Sequence, residues 1–488
     1  MFLVLMVAAT SIQFIQAPSL NADSRNVRTL YREFGMDRGP IIVSGESIVV
    51  STPNDSPYKF QREYRDGGAY SHVTGYFSTV FNSMTGIERA ENAVLGGSAS
   101  SLAGQRLQDL ITGRQPQGGA VELTLEANVQ QAAIEAMAGR RGAVVAMDPK
   151  TGAILAQVSL PTYDSNSIAT QDSATASAAW DALNADPEQP LVDRTSRGNQ
   201  YPPGSIFKMV TATAMLENNP DLTPDSLVEA PTSWTPPNTD HEIWNPGQQA
   251  CGDGSGQTTL NQTFIQSCNT AYAIGGVGVG AEKMMAQAEA FGFGNTFQTP
   301  LTVDASRFPE PASDAALAMD SFGQQDIMVT PMQMALVTSA IANNGVLMEP
   351  YIVKQTLTAD LEPFSTTKPS EYSRPMSEQT AQYMKQMMVD DVVSGTGWRA
   401  AIDGIQVAGK TGTAELADSE SHAWFTAFAP FENPQIALLV MVDGSSVQGP
   451  PTVMQGSEAA APIAAEILRA IFKLPPPEKP VVPKKAGD

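Results

Sequence analysis

Three short motifs constrain this 488-residue chain more than any other feature: Ser205-Ile-Phe-Lys208, Ser267-Cys-Asn269 and Lys410-Thr-Gly-Thr413, in that order. Each alone is cheap, since a Ser-x-x-Lys arises by chance roughly twice in a chain of this length. Their joint order points to a nucleophilic serine served by lysines rather than by histidine. Tyr201-Pro-Pro-Gly204 forces a turn, and residues 205–217 read as a helix beginning at the serine. A serine there is very often only a cap. The same position puts its Oγ at the positive end of the helix dipole, where an oxyanion is stabilised. Lys208 stands three residues on and shares the helix face. A lysine that is desolvated and next to a second cation sheds its proton more easily and acts as a base.

The other motifs are weaker by themselves. Ser267 and Asn269, two apart, place side chains on one side of a loop between helices. As isolated residues they are ordinary loop polars. Residues 404–413 read as a strand ending in small residues, with Gly412 removing a side chain where a substrate approaches the backbone. An extended peptide pairs naturally along such an edge. Lys410 taken alone is a solvated strand lysine. His72, His241 and His422 show no metal-ligand spacing with the two cysteines. Cys251 and Cys268 read equally well as a disulfide of an oxidising compartment or as two buried thiols. A formal charge of −22 excludes a nucleic-acid partner and leaves any acidic substrate to be captured by a local cation.

The chain is too long for one core. Residues 1–17 carry no charge and are expected as a membrane signal anchor whose basic start is missing, the alternative being a buried N-terminal helix. Residues 18–118 are polar and mixed, with short strands at 41–43 and 47–51. A Gly/Gln/Pro stretch at 112–119 reads as a boundary loop. A strand at 121–125, a helix at 128–137 and a hairpin turning on Asp148-Pro-Lys-Thr-Gly152 open the main unit, 119–474. Residues 435–442 form the continuous apolar run of a strand buried on both faces. Helices follow Thr330-Pro331 and cover 459–472. The Pro/Lys-rich stretch 475–488 is expected as a disordered tail.

The three motifs resemble those of the serine acyl-transferases that react with penicillin. Further matches extend the likeness over most of residues 20–475: Arg38-Gly-Pro-Ile41, Gly86-Ile-Glu-Arg-Ala-Glu-Asn92, Leu95-Gly-Gly97, Pro161-Thr-Tyr-Asp164, Phe322-Gly-Gln324, Thr330-Pro-Met-Gln333 and Gly395-Thr-Gly397. The pattern is similar to class B penicillin-binding proteins of the actinobacterial A type. That resemblance implies an α+β fold, an antiparallel sheet covered by helices plus an all-helical subdomain. It also implies an elongated, strand-containing pedestal of a dimerisation type over 18–118.

The implied activity is peptidoglycan D,D-transpeptidation. Ser205 is acylated by the penultimate D-Ala with loss of the terminal one, and an amine of a neighbouring stem then attacks. In this pattern Lys208 is the base and Lys410 the second cation. Ser267 relays a proton to the leaving amine and Asn269 holds the substrate amide. Thr411, Gly412 and Thr413 bind substrate, the two hydroxyls taking its terminal carboxylate. Backbone N–H groups of Ser205 and Thr413 form an oxyanion hole. A Cys251–Cys268 bridge would stiffen the loop of the second motif.

No metal and no cofactor are implied. The implied partners are stem peptides ending in D-Ala-D-Ala, β-lactams, and a polytopic membrane glycosyltransferase, because about 100 residues of pedestal are too few for a polymerase half. The implied location is the bacterial cell membrane, single-pass, with the catalytic domain outside. The competing classes are a penicillin sensor module and a hydrolase of β-lactams or D-Ala-D-Ala. No deacylating glutamate can be placed for the hydrolase, and no further span or effector region is visible for the sensor.

Overall fold

The computed structural model of the protein describes Met6 and residues 34–102, 117–416, 420–445 and 454–475. The anchor expected over 1–17 and the tail expected over 475–488 lie outside the described residues, Met6 and Pro475 excepted. Among the described residues no helix is long and apolar enough to cross a membrane.

Strands β1 (Ile41–Val43), β2 (Glu46–Pro53) and β3 (Phe60–Tyr64) form an antiparallel meander, and β4 (Ala120–Leu123) lies parallel to β1. Helix α1 (Ala127–Met137) leads into the hairpin of β5 (Gly142–Met147) and β6 (Ile154–Leu160). Then come α2 (Lys208–Asn218), a ribbon of β7 (Ser233–Trp234) and β8 (Ile243–Trp244), α3 (Leu260–Ile265), α4 (Asn269–Val279) and α5 (Pro331–Ala342). Strands β9 (Val353–Leu357) and β10 (Pro363–Thr366) precede α6 (Glu378–Ser394). Finally β11 (Ala408–Glu415), β12 (Ser421–Ala429) and β13 (Ile436–Val442) lead to α7 (Ala460–Ile471).

The five-stranded sheet runs β11-β12-β13-β5-β6 with every pairing antiparallel. Its pleat divides two cores. Leu439 and Met441 of β13 face one core with α5 and α2, while Leu438 and Val440 face the other with α1 and α7. That is why the 435–442 run is apolar without alternation. Helix α5 is buried all round; Thr330 caps it by accepting from Gln333 N–H, and Pro331 fills the first turn.

The six-stranded sheet runs β10-β9-β4-β1-β2-β3 and joins both expected units through β4 and β9. Next to helices α2, α3 and α4 the chain also carries the β7–β8 ribbon, in a segment where Pro231, Pro236, Pro237 and Pro246 bar a helix. The helix expected from Ser205 opens as a 3-10 turn, Gly204–Phe207, with the α-helix starting at Lys208. The strand expected over 404–413 is shifted to Ala408–Glu415, because Gly404 turns the chain at φ +86°.

Beside the joining sheet, Glu88 is fully buried between two arginines. Arg38 Nε and Nη2 donate to its Oε2 at 3.1 and 2.8 Å, and Arg62 Nε donates to Oε1 at 2.6 Å. Tyr64 adds its hydroxyl at 3.2 Å. Burial alone would raise the Glu88 carboxyl, but the charges and hydrogen bonds of Arg62 and Arg38 outweigh it and hold it below its ordinary 4.5. A carboxylate depressed in the folded state stabilises the fold above its unfolded pKa and loses that contribution as pH falls through the folded value. Glu88→Gln leaves two buried arginines without their counter-charge and should cost about 3–5 kcal/mol at pH 7. Wild-type melting temperature should drop below about pH 4.5, and the variant should lose that acid dependence. Thermal unfolding of both proteins at neutral and acid pH checks this; equal stability at pH 7 would contradict it.

Candidate active site

Two glycines let the turn carrying Ser205 lie flat against β11. A Cβ on Gly204, whose φ is +55°, would stand 2.4 Å from Thr413 O. A Cβ on Gly412 would stand 2.9 Å from Ile206 Cγ2 and 3.1 Å from Ile206 N. The neighbour that presses on Gly412 in the structure is the Ser205 turn, a second reason for a glycine here besides the expected approach of substrate. Because the turn is 3-10, residues three apart eclipse, and Lys208 lies directly behind Ser205. Ser205 is half-buried at the cleft surface, whereas Lys208 has no exposed area.

Lys208 Nζ donates to Ser267 O at 2.6 Å and to Asn269 Oδ1 at 2.8 Å, and lies 3.2 Å from Ser267 Oγ. Burial first, and then the charge of Lys410, push it well below the ordinary 10.5. Two carbonyl oxygens and the Ser267 hydroxyl thus surround the amine.

Lys410, on β11, is equally buried, with Nζ 5.4 Å from the centre of the Phe264 ring and 3.2 Å from Thr411 O, to which it donates. Burial lowers its pKa, and the nearby Asp391 opposes that. Asp391 sits on α6, its carboxyl raised by burial against the pull of Lys410 and the hydrogen bonds of Thr396. Thr396 donates to Asp391 Oδ1 through N–H at 3.0 Å and through Oγ1 at 2.9 Å, and its hydroxyl also hydrogen-bonds that of Thr411.

Sequence reasoning missed Asp391 and Thr396. The signal was Gly395-Thr-Gly397: a Cβ on Gly395 or Gly397 would lie 2.6 or 2.7 Å from an Asp391 carboxylate oxygen. The two glycines let the chain close over a buried acid.

The loop of the second motif is strained and clamped. Ser267 has φ +55°, a conformation that costs a non-glycine residue about 1–3 kcal/mol. Ser267 N–H donates to Phe264 O at 3.1 Å, Cys268 N–H donates to Thr263 O at 2.9 Å, and Cys268 is joined to Cys251 by a disulfide. Asn269 opens α4, and its Nδ2 donates to Trp244 O at 2.8 Å.

A cleft of about 760 Å³ is lined by Ser205, Ser267, Asn269, Thr396, Thr411, Gly412 and Thr413. All three motifs thus meet at one opening, with Lys208 and Lys410 buried behind it. The arrangement places a hydroxyl at the opening with a desolvated amine and a second lysine behind it, the groups that serine acyl transfer requires.

Comparison with known proteins gives the same picture. Residues 142–469 match the penicillin binding protein transpeptidase domain, and residues 38–121 match the penicillin binding protein A dimerisation domain. Over 484 residues the chain is 40% identical to peptidoglycan D,D-transpeptidase PbpA of Mycolicibacterium smegmatis, covering 97% of this chain and 96% of that one. It is 37% identical over 485 residues to the protein of that name from Mycobacterium tuberculosis, at the same coverages. The structure of penicillin-binding protein A from M. tuberculosis as its penicillin G acyl-enzyme complex superposes with a TM-score of 0.83 at 36% identity, covering 90% of this chain and all of that one (100%).

If Lys410 helps to keep Lys208 unprotonated, Lys410→Ala should shift the acid limb of Ser205 acylation to higher pH. At neutral pH the rate should fall about 10²- to 10³-fold, the loss expected for one missing transition-state contact. Acylation by a fluorescent penicillin, timed across pH, measures both effects. A variant with the wild-type profile would show Lys410 to be a strand lysine only.

Proposed function

The chain belongs to the penicillin-binding protein transpeptidases, and from that premise we propose how its own residues carry out D,D-transpeptidation of peptidoglycan. The observation that carries the reading is the convergence of Ser205, Lys208, the Ser267–Asn269 loop and β11 on one cleft. Lys208 takes the proton of Ser205, and Oγ attacks the carbonyl carbon of the penultimate D-Ala. Backbone N–H groups of Ser205 and Thr413 receive the oxyanion. As the tetrahedral carbon collapses, its bond to the terminal D-Ala nitrogen breaks, and that nitrogen gains a proton relayed through Ser267. Asn269 holds the donor amide, while Lys410 with the Thr411 and Thr413 hydroxyls holds the terminal carboxylate.

The ester on Ser205 then meets the amine of a second stem. A new peptide bond forms, the ester bond breaks, and Ser205 Oγ regains a proton. One peptide bond is exchanged for another, so no energy source is needed. A β-lactam enters as the acyl donor, its ring amide opens, and the ester on Ser205 turns over slowly.

The division into an anchor over 1–17, a pedestal over 18–118 and a catalytic unit over 119–474 belongs to this proposal. So does single-pass placement in the cell membrane with the catalytic unit outside. The buried Cys251–Cys268 disulfide fits an oxidising exterior. A polytopic glycosyltransferase in the same membrane is the proposed source of glycan strands.

The test is to treat the protein with fluorescent penicillin and map the label by mass spectrometry. Label should fall on the peptide containing Ser205, and Ser205→Ala should take none while melting at the wild-type temperature. With a stem-peptide donor and an added amine acceptor, cross-linked product should form alongside released D-Ala. Label elsewhere would overturn the mechanism. Release of D-Ala without any amine product would make the protein a hydrolase, and label without any turnover would make it a sensor.

A further inference from the structure

We infer that Asp320, which does not line the cleft and belongs to none of the three motifs, is a positioning residue for Ser205: its carboxyl fastens the loop that holds the Tyr201–Gly204 turn. The inference rests on the transpeptidase reading above, in which Ser205 is the nucleophile, and adds to it the side chain that fixes the nucleophile's backbone.

Tyr201-Pro202-Pro203-Gly204 leads the chain into Ser205, and its prolines have no N–H. The N–H groups that remain both go to one loop, residues 321–330. Tyr201 N–H donates to Val329 O at 2.9 Å, and Val329 N–H donates back to Tyr201 O at 2.8 Å. Gly204 N–H donates to Gly323 O at 2.9 Å. The contact is close, since a Cβ on Gly323 would stand 2.0 Å from Gly204 O. The turn under the serine therefore sits where this loop puts it.

The loop is tied down at both ends and across its middle. Near its start, Thr211 of α2 donates its hydroxyl to Ser321 O at 2.6 Å. Near its end, Arg307 N–H donates to Met328 O at 2.7 Å, and Arg307 O accepts from Met328 N–H at 3.2 Å. Between these ties the chain reverses through Gly323 at φ +87° and Gln325 at φ +65°, the second a left-handed conformation that a side chain resists.

Asp320 closes that reversal. It ends the short helix Asp314–Asp320, is fully buried, and its Oδ1 accepts from Asp326 N–H at 3.1 Å. Its Oδ2 is buried with no hydrogen-bond partner among the described residues. Burying a polar atom unpaired is unfavourable, so a carboxyl belongs here only for the oxygen that is in use. Burial raises the Asp320 carboxyl to about 7, against the hydrogen bonds of the Asp326 and Ile327 N–H groups. A neutral amide, which keeps the accepting oxygen, is therefore a close substitute. Without that acceptor the two halves of the loop separate, Gly323 no longer fixes Gly204, and Ser205 Oγ drifts from its place beside Lys208.

The test is stopped-flow acylation of the full chain by a chromogenic β-lactam, which separates the dissociation constant of the noncovalent complex from the acylation rate constant. Asp320→Ala should lower the rate constant about 10²-fold, the loss expected for a misplaced reacting group, with the dissociation constant unchanged. Asp320→Asn should restore the rate. A merely structural role would lower the melting temperature of Asp320→Ala and leave its rate constant at the wild-type value, and that result overturns the inference. So does a loss carried by the dissociation constant, or an Asp320→Asn as slow as Asp320→Ala. If Asp320→Ala does not fold, hydrogen exchange of the wild-type protein decides: the peptides containing Gly204 and Asp326 should take up deuterium together, and independent exchange overturns the inference. Failure of wild-type Ser205 to be acylated would instead overturn the transpeptidase reading.

Discussion

Lys208 has no exposed surface, and every element of the site is arranged around that fact. A buried ammonium is costly, and a second lysine on β11 makes it costlier. The folded state therefore binds Lys208's proton more weakly than the unfolded chain does. Below the ordinary 10.5 this lowers stability progressively until the folded pKa is passed. The rest of the fold offsets that loss and holds, next to the Ser205 turn, an amine that gives up its proton more readily than an ordinary lysine. Asp391 moderates the effect on Lys410, whose proton it favours, so the two lysines are driven apart in basicity by unequal surroundings. Pairs of titratable groups separated in this way are how one site holds a base and a cation together.

Holding that arrangement requires three parts of the chain to be rigid where they meet. The Ser205 turn lies on β11 through Gly204 and Gly412. The second motif is held in a left-handed conformation by its backbone bonds and the Cys251–Cys268 disulfide. The five-stranded sheet, packed on both faces, gives β11 a fixed position. Among the described residues, none of β1, β2 or β3 lines the cleft, but these strands share a sheet with β9 and β10. The Glu88 cluster, with Arg38 and Arg62, locks that joint with charges that have no solvent to fall back on.

Much of this was legible from the chain alone. The motifs singled out Ser205, Lys208 and Lys410, which the structure gathers at and behind one cleft. The 435–442 run announced a strand buried on both faces, and Asp148 to Gly152 announced a hairpin. What could not be read was long-range pairing. Nothing local tells that Val353–Leu357 lies beside Ala120–Leu123, since that register is set by packing between distant segments. The 3-10 start at Gly204 depends on contact with Thr413, not on helix propensity. Asp391 was hidden because an acid in a helix reads as a solvated face, and only burial against Lys410 makes it part of the site.

The central claim is that burial and the charge of Lys410 hold the Lys208 amine well below the ordinary lysine pKa. The direct measurement is NMR of the protein labelled with [ε-13C]lysine, with the Lys208 resonance identified by its loss in Lys208→Arg. The account predicts that this resonance titrates well below the ordinary lysine value of 10.5 and that it moves up when Lys410 is replaced by alanine. A Lys208 resonance that stays in its protonated position until the pH reaches that ordinary value would contradict it.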